Sequence, residues 1–191
     1  MTRTTELRKQ QSTAVRLDRD TWTRAGLDIL AEHGVDGVRV EPLAKRLGVT
    51  KGSFYWHFRD RADLLDAMLE SWRRRATLAI IERVDLSGES AESRLRTLLA
   101  LAFAGPSAEK GTDVELAIRL WGRRDLRARQ VLAEVDELRL SYFTQLLESA
   151  GIAGEDARAR ALLSYSYMRV ANSLPPGAQG LDMIVRLLLT P

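Results

Sequence analysis

The stretch Gly48-Val49-Thr50-Lys51-Gly52-Ser53-Phe54-Tyr55-Trp56-His57-Phe58 decides how this chain is read. Aromatic and imidazole side chains crowd together at its end with neither the alternation of a strand nor the stripe of an amphipathic helix. Thr50 is placed to cap a new helix with its hydroxyl, and Val49 and Phe54 stand at the two positions of a hydrophobic staple. Phe54 and Phe58, four residues apart, face the same way and can pack on preceding helices. Lys51, Gly52, Ser53, Tyr55, Trp56 and His57 are then distributed around the outside. A helix of about two turns explains the crowding, because it must supply both packing residues and contacts to something else.

Working outward, Asp18 or Asp20 starts a helix carrying Trp22, Ala25, Ile29 and Leu30, with Gly34 just past its end. A second helix runs from about Val40 to Leu47, and Pro42 is tolerated in its first turn, where the missing N–H has no intrahelical partner. The tight Leu47-Gly48-Val49-Thr50 turn joins it to the quoted stretch as a helix-turn-helix. Asp60, with Asp63 three residues on, caps a long helix expected to continue to about Val84. Further helices are expected at about 91–104, 109–122, 125–149, 154–173 and 178–189, separated by Gly and Pro signals. The chain therefore reads as all-α. A flexible basic arm (1–17) precedes a three-helix helix-turn-helix domain (18–62), and an antiparallel helical domain follows (63–191).

Composition narrows the function. Hydrophobic residues make up 45% of the 191, enough for a packed core, and there is no cysteine for a disulfide or a thiolate metal site. No apolar run reaches the roughly 18–20 residues that span a bilayer, and no secretion signal is evident, so a cytoplasmic protein with no membrane partner is expected. Residues 1–61 hold twelve Lys+Arg against eight Asp+Glu, whereas residues 62–191 hold seventeen against eighteen. The positive balance sits at the end that carries the helix-turn-helix, as it would if that end met a polyanion. His33 and His57 are the only histidines. With no Gly-rich phosphate loop and no metal-spaced cluster, neither an enzyme nor a cofactor is expected.

The chemistry of the quoted stretch suits DNA. The start of a helix directs N–H groups and a positive dipole at an anion, and a glycine there lets a phosphate approach. Lys51 and Ser53 can donate to base edges in a major groove, while Tyr55 and His57 suit phosphate oxygens, which fix register without reading sequence. Trp56 has two readings, a DNA contact or partial burial against the first helix.

The segment from about Trp22 to Trp72 resembles the TetR family of transcriptional regulators. The resemblance rests on Ala31-Glu32-His33-Gly34, Leu43-Ala44-Lys45-Arg46-Leu47-Gly48-Val49, the quoted stretch, and Phe58-Arg59-Asp60-Arg61-Ala62-Asp63-Leu64-Leu65. It implies that Lys51, Gly52, Ser53, Tyr55 and His57 occupy DNA-touching positions of a recognition helix. It also implies that Arg61 occupies a phosphate-contacting position commonly held by lysine. Where the family usually has Thr or Ser to cap the second helix, this chain has Val38, Arg39 and Val40; Arg39 can hold the phosphate by charge instead.

The resemblance further implies a homodimer on a palindromic double-stranded operator and a C-terminal pocket for a small-molecule effector that releases a repressor. A DNA-binding activator without an effector is the alternative, and a helical protein-interaction module a further one. Candidates for the dimer seam are Ala157, Ala161, Tyr165 and Met168 with Ile184, Leu187 and Leu188. Candidates for the pocket are Trp72, Phe103, Ile118, Trp121, Tyr142, Phe143, Leu146, Tyr165 and Met168, although helical spacing explains each as core. The junction Leu120-Trp121-Gly122-Arg123-Arg124-Asp125 gathers arginines that can either neutralise an acidic effector or tie the loop. Coupling between pocket and DNA is expected to run along the helix from Asp60 to Val84.

Overall fold

A computed structural model describes residues 17–87, 90–101, 106–170 and 180–190, with 106–109 in backbone only. The N-terminal arm, Phe103 and Pro175-Pro176-Gly177 lie outside the described residues. All regular structure among the described residues is helical: α1 (Arg19–Gly37), α2 (Val40–Arg46), α3 (Lys51–Phe54), α4 (Arg61–Ala76), α5 (Leu78–Asp85), α6 (Ala91–Ala100), α7 (Pro106–Gly122), α8 (Leu126–Ser149), α9 (Gly154–Val170) and α10 (Leu181–Leu189).

Short polar side chains start several of these helices by satisfying amide groups that lack an intrahelical partner. Asp18 accepts from the Thr21 amide at 2.8 Å, Asp60 from that of Asp63 at 2.9 Å, and Asp125 from that of Ala128 at 3.2 Å. The regular part of α1 ends at Gly34, whose φ of 69° breaks the helix before a last turn to Gly37. Gly48 takes φ of 68° between α2 and α3, and a Cβ there would meet nothing within 4 Å.

Two expectations are corrected. Thr50 stands at the N-cap of α3 in extended conformation but its side chain makes no capping bond, and α3 itself is four residues, shorter than two turns. The long helix from Asp60 does not reach Val84 unbroken. Thr77 adopts φ −126° and ψ −83°, and both its amide and its hydroxyl donate to the Arg73 carbonyl, at 3.1 and 2.7 Å. The Ile80 amide then turns to the Thr77 carbonyl at 2.9 Å instead of to Ala76. The Ala76 carbonyl is left without a helical partner and accepts from Arg139 Nε of α8 at 3.0 Å.

Two hydrophobic cores form. The first gathers Trp22, Leu43, Phe54, Phe58 and Met68 of the N-terminal helices with Ile118 and Trp121 of α7 and Val135 of α8. The second, at the far end, joins Val84, Leu95, Phe143, Leu147, Ala157 and Leu188. The helix-turn-helix thus shares its core with α7 and α8, and α1 packs along α7 as well as along α4. Lys110 of α7 also pairs with Asp28 of α1 at 2.7 Å.

Because open space surrounds Gly48, replacing it tests backbone conformation alone. Gly48→Ala is expected to cost about 1–2 kcal/mol of stability, and Gly48→Asn less, since asparagine tolerates the left-handed region better. Urea denaturation of the two variants checks this; equal costs would mean that left-handed strain is not what selects glycine at the turn.

Candidate nucleic-acid interface

The recognition segment is held from behind by rings. Phe54 is fully buried, stacks on Phe58 with centroids 5.2 Å apart and meets Trp22 edge-on at 5.4 Å. Beyond α3 the chain continues as a turn, with the His57 and Phe58 amides both donating to the Phe54 carbonyl. Arg19, at the start of α1, fastens this turn. Its guanidinium lies 4.3 Å over the Phe58 ring and donates to the His57 carbonyl at 2.5 Å and to Asp63 of α4 at 2.6 Å. Sequence reasoning missed Arg19, whose partners lie 38 and 44 residues away.

With the rings committed inward, the other face is open. Lys51, Gly52, Tyr55 and Trp56 are exposed, Trp56 at 88%, which removes the reading of Trp56 as half-buried against the first helix. Ser53 and His57 are half-buried. Lys51 Nζ donates to Glu41 of α2 at 2.6 Å, so two side chains of the helix-turn-helix hold each other in place until a competitor arrives. Arg39 is the N-cap of α2, exposed and without a side-chain capping bond. Arg61 donates to the Val38 and Val35 carbonyls, both at 2.6 Å. Those bonds brace the turn between α1 and α2 and leave the Arg61 charge unneutralised, because both acceptors are neutral.

The described pocket candidates of the C-terminal helices pack in the two cores, as their helical spacing allows. Trp72, Ile118 and Trp121 lie in the first core, and Tyr142, Phe143, Leu146 and Tyr165 in the second, with Met168 half-buried against it. Ala157, Ala161, Tyr165 and Leu188 are likewise buried within the chain and Ile184 is half-buried; of the seam candidates Leu187 is exposed. Within the chain α9 packs against α8, and α10 against α6.

Between the two cores lies a polar cluster that the sequence did not reveal. Glu115 of α7 is buried and accepts from Arg119 at 2.9 Å, from Arg139 at 2.9 and 3.0 Å, and from Arg169. Asp136 accepts from Arg119 at 2.5 and 2.9 Å and from the Tyr165 hydroxyl at 2.5 Å. Burial works against the Asp136 charge, but the Arg119 and Tyr165 hydrogen bonds outweigh it and hold its pKa below the usual value. Burial raises that of the Tyr165 hydroxyl. A heptad count finds apolar stripes and passes over such residues, because each looks like an ordinary surface charge in sequence.

The fold is a helix-turn-helix module with an exposed polar face, joined to a larger helical body. Residues 23–68 match the family "Bacterial regulatory proteins, tetR family". The chain is 50% identical over 56 residues to the tetracycline repressor protein class A from transposon 1721 of Escherichia coli, covering 29% of this chain and 26% of that protein. It therefore spans about a quarter of the length of that relative. A transcriptional regulator from Rhodococcus sp. Rha1 superposes with TM-score 0.70 at 20% identity, over 91% of this chain and 96% of the other. The transcriptional regulator FadR from Bacillus subtilis, solved with stearoyl-CoA, superposes with TM-score 0.63 at 20% identity, over 88% and 96%. These structures share the fold. No described helix is long and apolar enough to cross a membrane.

The Arg19 clamp carries a pH signature. The Arg19 hydrogen bond, then that of the Arg59 amide, holds the Asp63 carboxyl below the usual aspartate value. A group depressed in the folded state contributes stability that is complete above its unfolded pKa and is lost as pH falls through the folded one. Urea midpoints measured near neutrality and below about pH 4 should fall less steeply for Arg19→Met than for the parent chain. Parallel profiles would show that Arg19 does not stabilise the Asp63 anion.

Proposed function

We propose that the chain is a sequence-specific, dimeric repressor that reads a palindromic operator through two copies of the Lys51–His57 segment and is released by a small molecule. The observation that carries the DNA reading is Gly52. It sits in α3 without the positive φ that would require glycine, and a Cβ there would meet nothing closer than Thr50 Oγ1 at 3.7 Å. Nothing among the described residues requires the missing side chain, so its absence serves an approach from outside. A phosphate or base edge drawn to the helix start is such an approach. Trp56 and Tyr55 fit the same reading: large rings kept in water beside a lysine have a partner in the bound state.

Arg39 and Arg61 add positive charge at the flanks, supporting phosphate contacts that position the reader. Dimerisation follows from scale, because one four-residue helix touches too few bases for genomic specificity and a two-fold axis doubles the contacts. Among the described residues, α9 exposes Leu162, Leu163 and Val170, and α10 exposes Met183 and Leu187. These apolar side chains, with the open groove of about 670 Å³ lined by α8 and α9, support a seam built from the outer faces of the last helices. A small-molecule response is supported by the structural neighbour that carries stearoyl-CoA in the same fold.

Gly52→Ala separates fold from function. Stability is expected to stay level or rise by about 0.5–1 kcal/mol, since alanine is the better helix former, while affinity for an operator selected from random duplexes drops about tenfold or more. Fluorescence anisotropy and urea denaturation read the two effects; undiminished operator affinity would remove DNA approach as the reason for Gly52. For the seam, Leu163→Glu combined with Leu187→Glu is expected to turn a dimer into a folded monomer by analytical ultracentrifugation. A dimer of undiminished affinity would place the interface elsewhere.

A further inference from the structure

At the α7–α8 junction lies a shallow cavity open to solvent, of about 420 Å³, lined by Arg119, Gly122, Arg123, Arg129 and Leu132. Three of the five are arginines and none is acidic. Arg129 gives its hydrogen bonds to neutral groups, the Gly122 and Arg123 carbonyls at 3.1 and 3.3 Å. Arg123 is exposed and has no ion-pair partner among the described residues. Arg119 joins the cavity to the buried cluster, where three guanidiniums, Arg119, Arg139 and Arg169, meet two carboxylates, Glu115 and Asp136. Arg119 Nε is buried without an acceptor, although the two terminal nitrogens of the same group are satisfied. Positive charge thus exceeds negative both in the cluster and on the wall in front of it, and the surplus faces a space with one apolar side chain, Leu132.

We propose that this cavity binds a small organic acid, its carboxylate on the arginines and its apolar body against Leu132. A carboxylate matches the planar fork of a guanidinium and compensates the surplus charge. The proposal rests on the reading of the chain as ligand-responsive and names the ligand class. It also supplies a route. An anion that draws Arg119 competes with Glu115 and Asp136 for it. Glu115 also holds Arg139, and Arg139 is the group that satisfies the Ala76 carbonyl at the break after α4. The first core carries the same disturbance to α1 through α7.

Isothermal titration of the full chain, without DNA, tests the site. The probes are straight-chain monocarboxylates of increasing length, each paired with its primary amide, and inorganic phosphate. One acid is expected to bind once per chain, about tenfold or more tighter than its amide and than phosphate, because a site built for a charge-assisted pair discriminates against a ligand lacking the charge. Arg123→Gln should weaken that acid about tenfold, whereas Arg124→Gln, beside it in sequence but off the cavity wall, should not. Absence of saturable binding by any acid, equal binding of acid and amide, phosphate binding as tightly as the acid, or equal behaviour of the two variants would each overturn the proposal. Since no DNA is present, failure of operator recognition leaves this outcome intact. An acid that binds but leaves operator affinity unchanged supports the site and refutes ligand release.

Discussion

A helix of four residues has no stability of its own, because forming its first turn fixes more dihedral angles than its hydrogen bonds repay. The shape of α3 is therefore imposed by Phe54 and Phe58, which anchor it to Trp22, and by Arg19, which fastens the following turn to α4. Truncating a buried phenylalanine costs about 3–5 kcal/mol, a large part of the roughly 5–15 kcal/mol that keeps a domain folded. The segment is held rigidly because its two rear positions, Phe54 and Phe58, belong to the core. Its outward residues are consequently free to be chosen for a partner, as Gly52 and the exposed Trp56 illustrate.

That core continues through α7 into α8, so the helix-turn-helix has no packing boundary with the C-terminal helices along α1. A boundary drawn at residue 62 follows the chain, whereas the apolar contacts run across it. The route expected from sequence was one helix running from Asp60 to Val84. The break at Thr77 changes this picture, because α4 ends where the Ala76 carbonyl meets Arg139. A rod transmits a tilt along its length, but a helix end held by one side-chain donor responds to whatever that donor is doing. Arg139 is also bonded to Glu115, and the state of the buried cluster is thereby felt at the end of α4.

What was legible in the sequence was local. Asp18 and Asp60 announce their helices because a capping carboxylate acts on an amide three residues away. The Gly48 turn is similarly visible because glycine alone is free of strain at that φ. Periodicity identified Ala157, Ala161 and Tyr165 as a buried stripe but could not say which surface buries them, since α8 and a second copy of the chain would select the same residue types. The missed residues share one property. Arg19, Glu115, Arg119, Arg139 and Arg169 work through partners tens of residues distant or through one another, and a charge in sequence carries no mark of its partner.

The buried cluster also bears on why the protein would tolerate ionic groups between two cores. Burying ions is costly, and replacing a complete buried ion network with apolar residues is often neutral or stabilising. Breaking part of such a network is different, because the remaining charges stay buried without compensation. A cluster with three arginines on two carboxylates is therefore sensitive to one added or removed charge in a way an apolar seam is not. It is bonded to the end of α4 through Arg139, so under the proposed ligand binding a local change of charge would act on helix packing. An apolar junction at the same place would hold α7, α8 and α9 together at least as well, but it would give a charged ligand nothing to compete for.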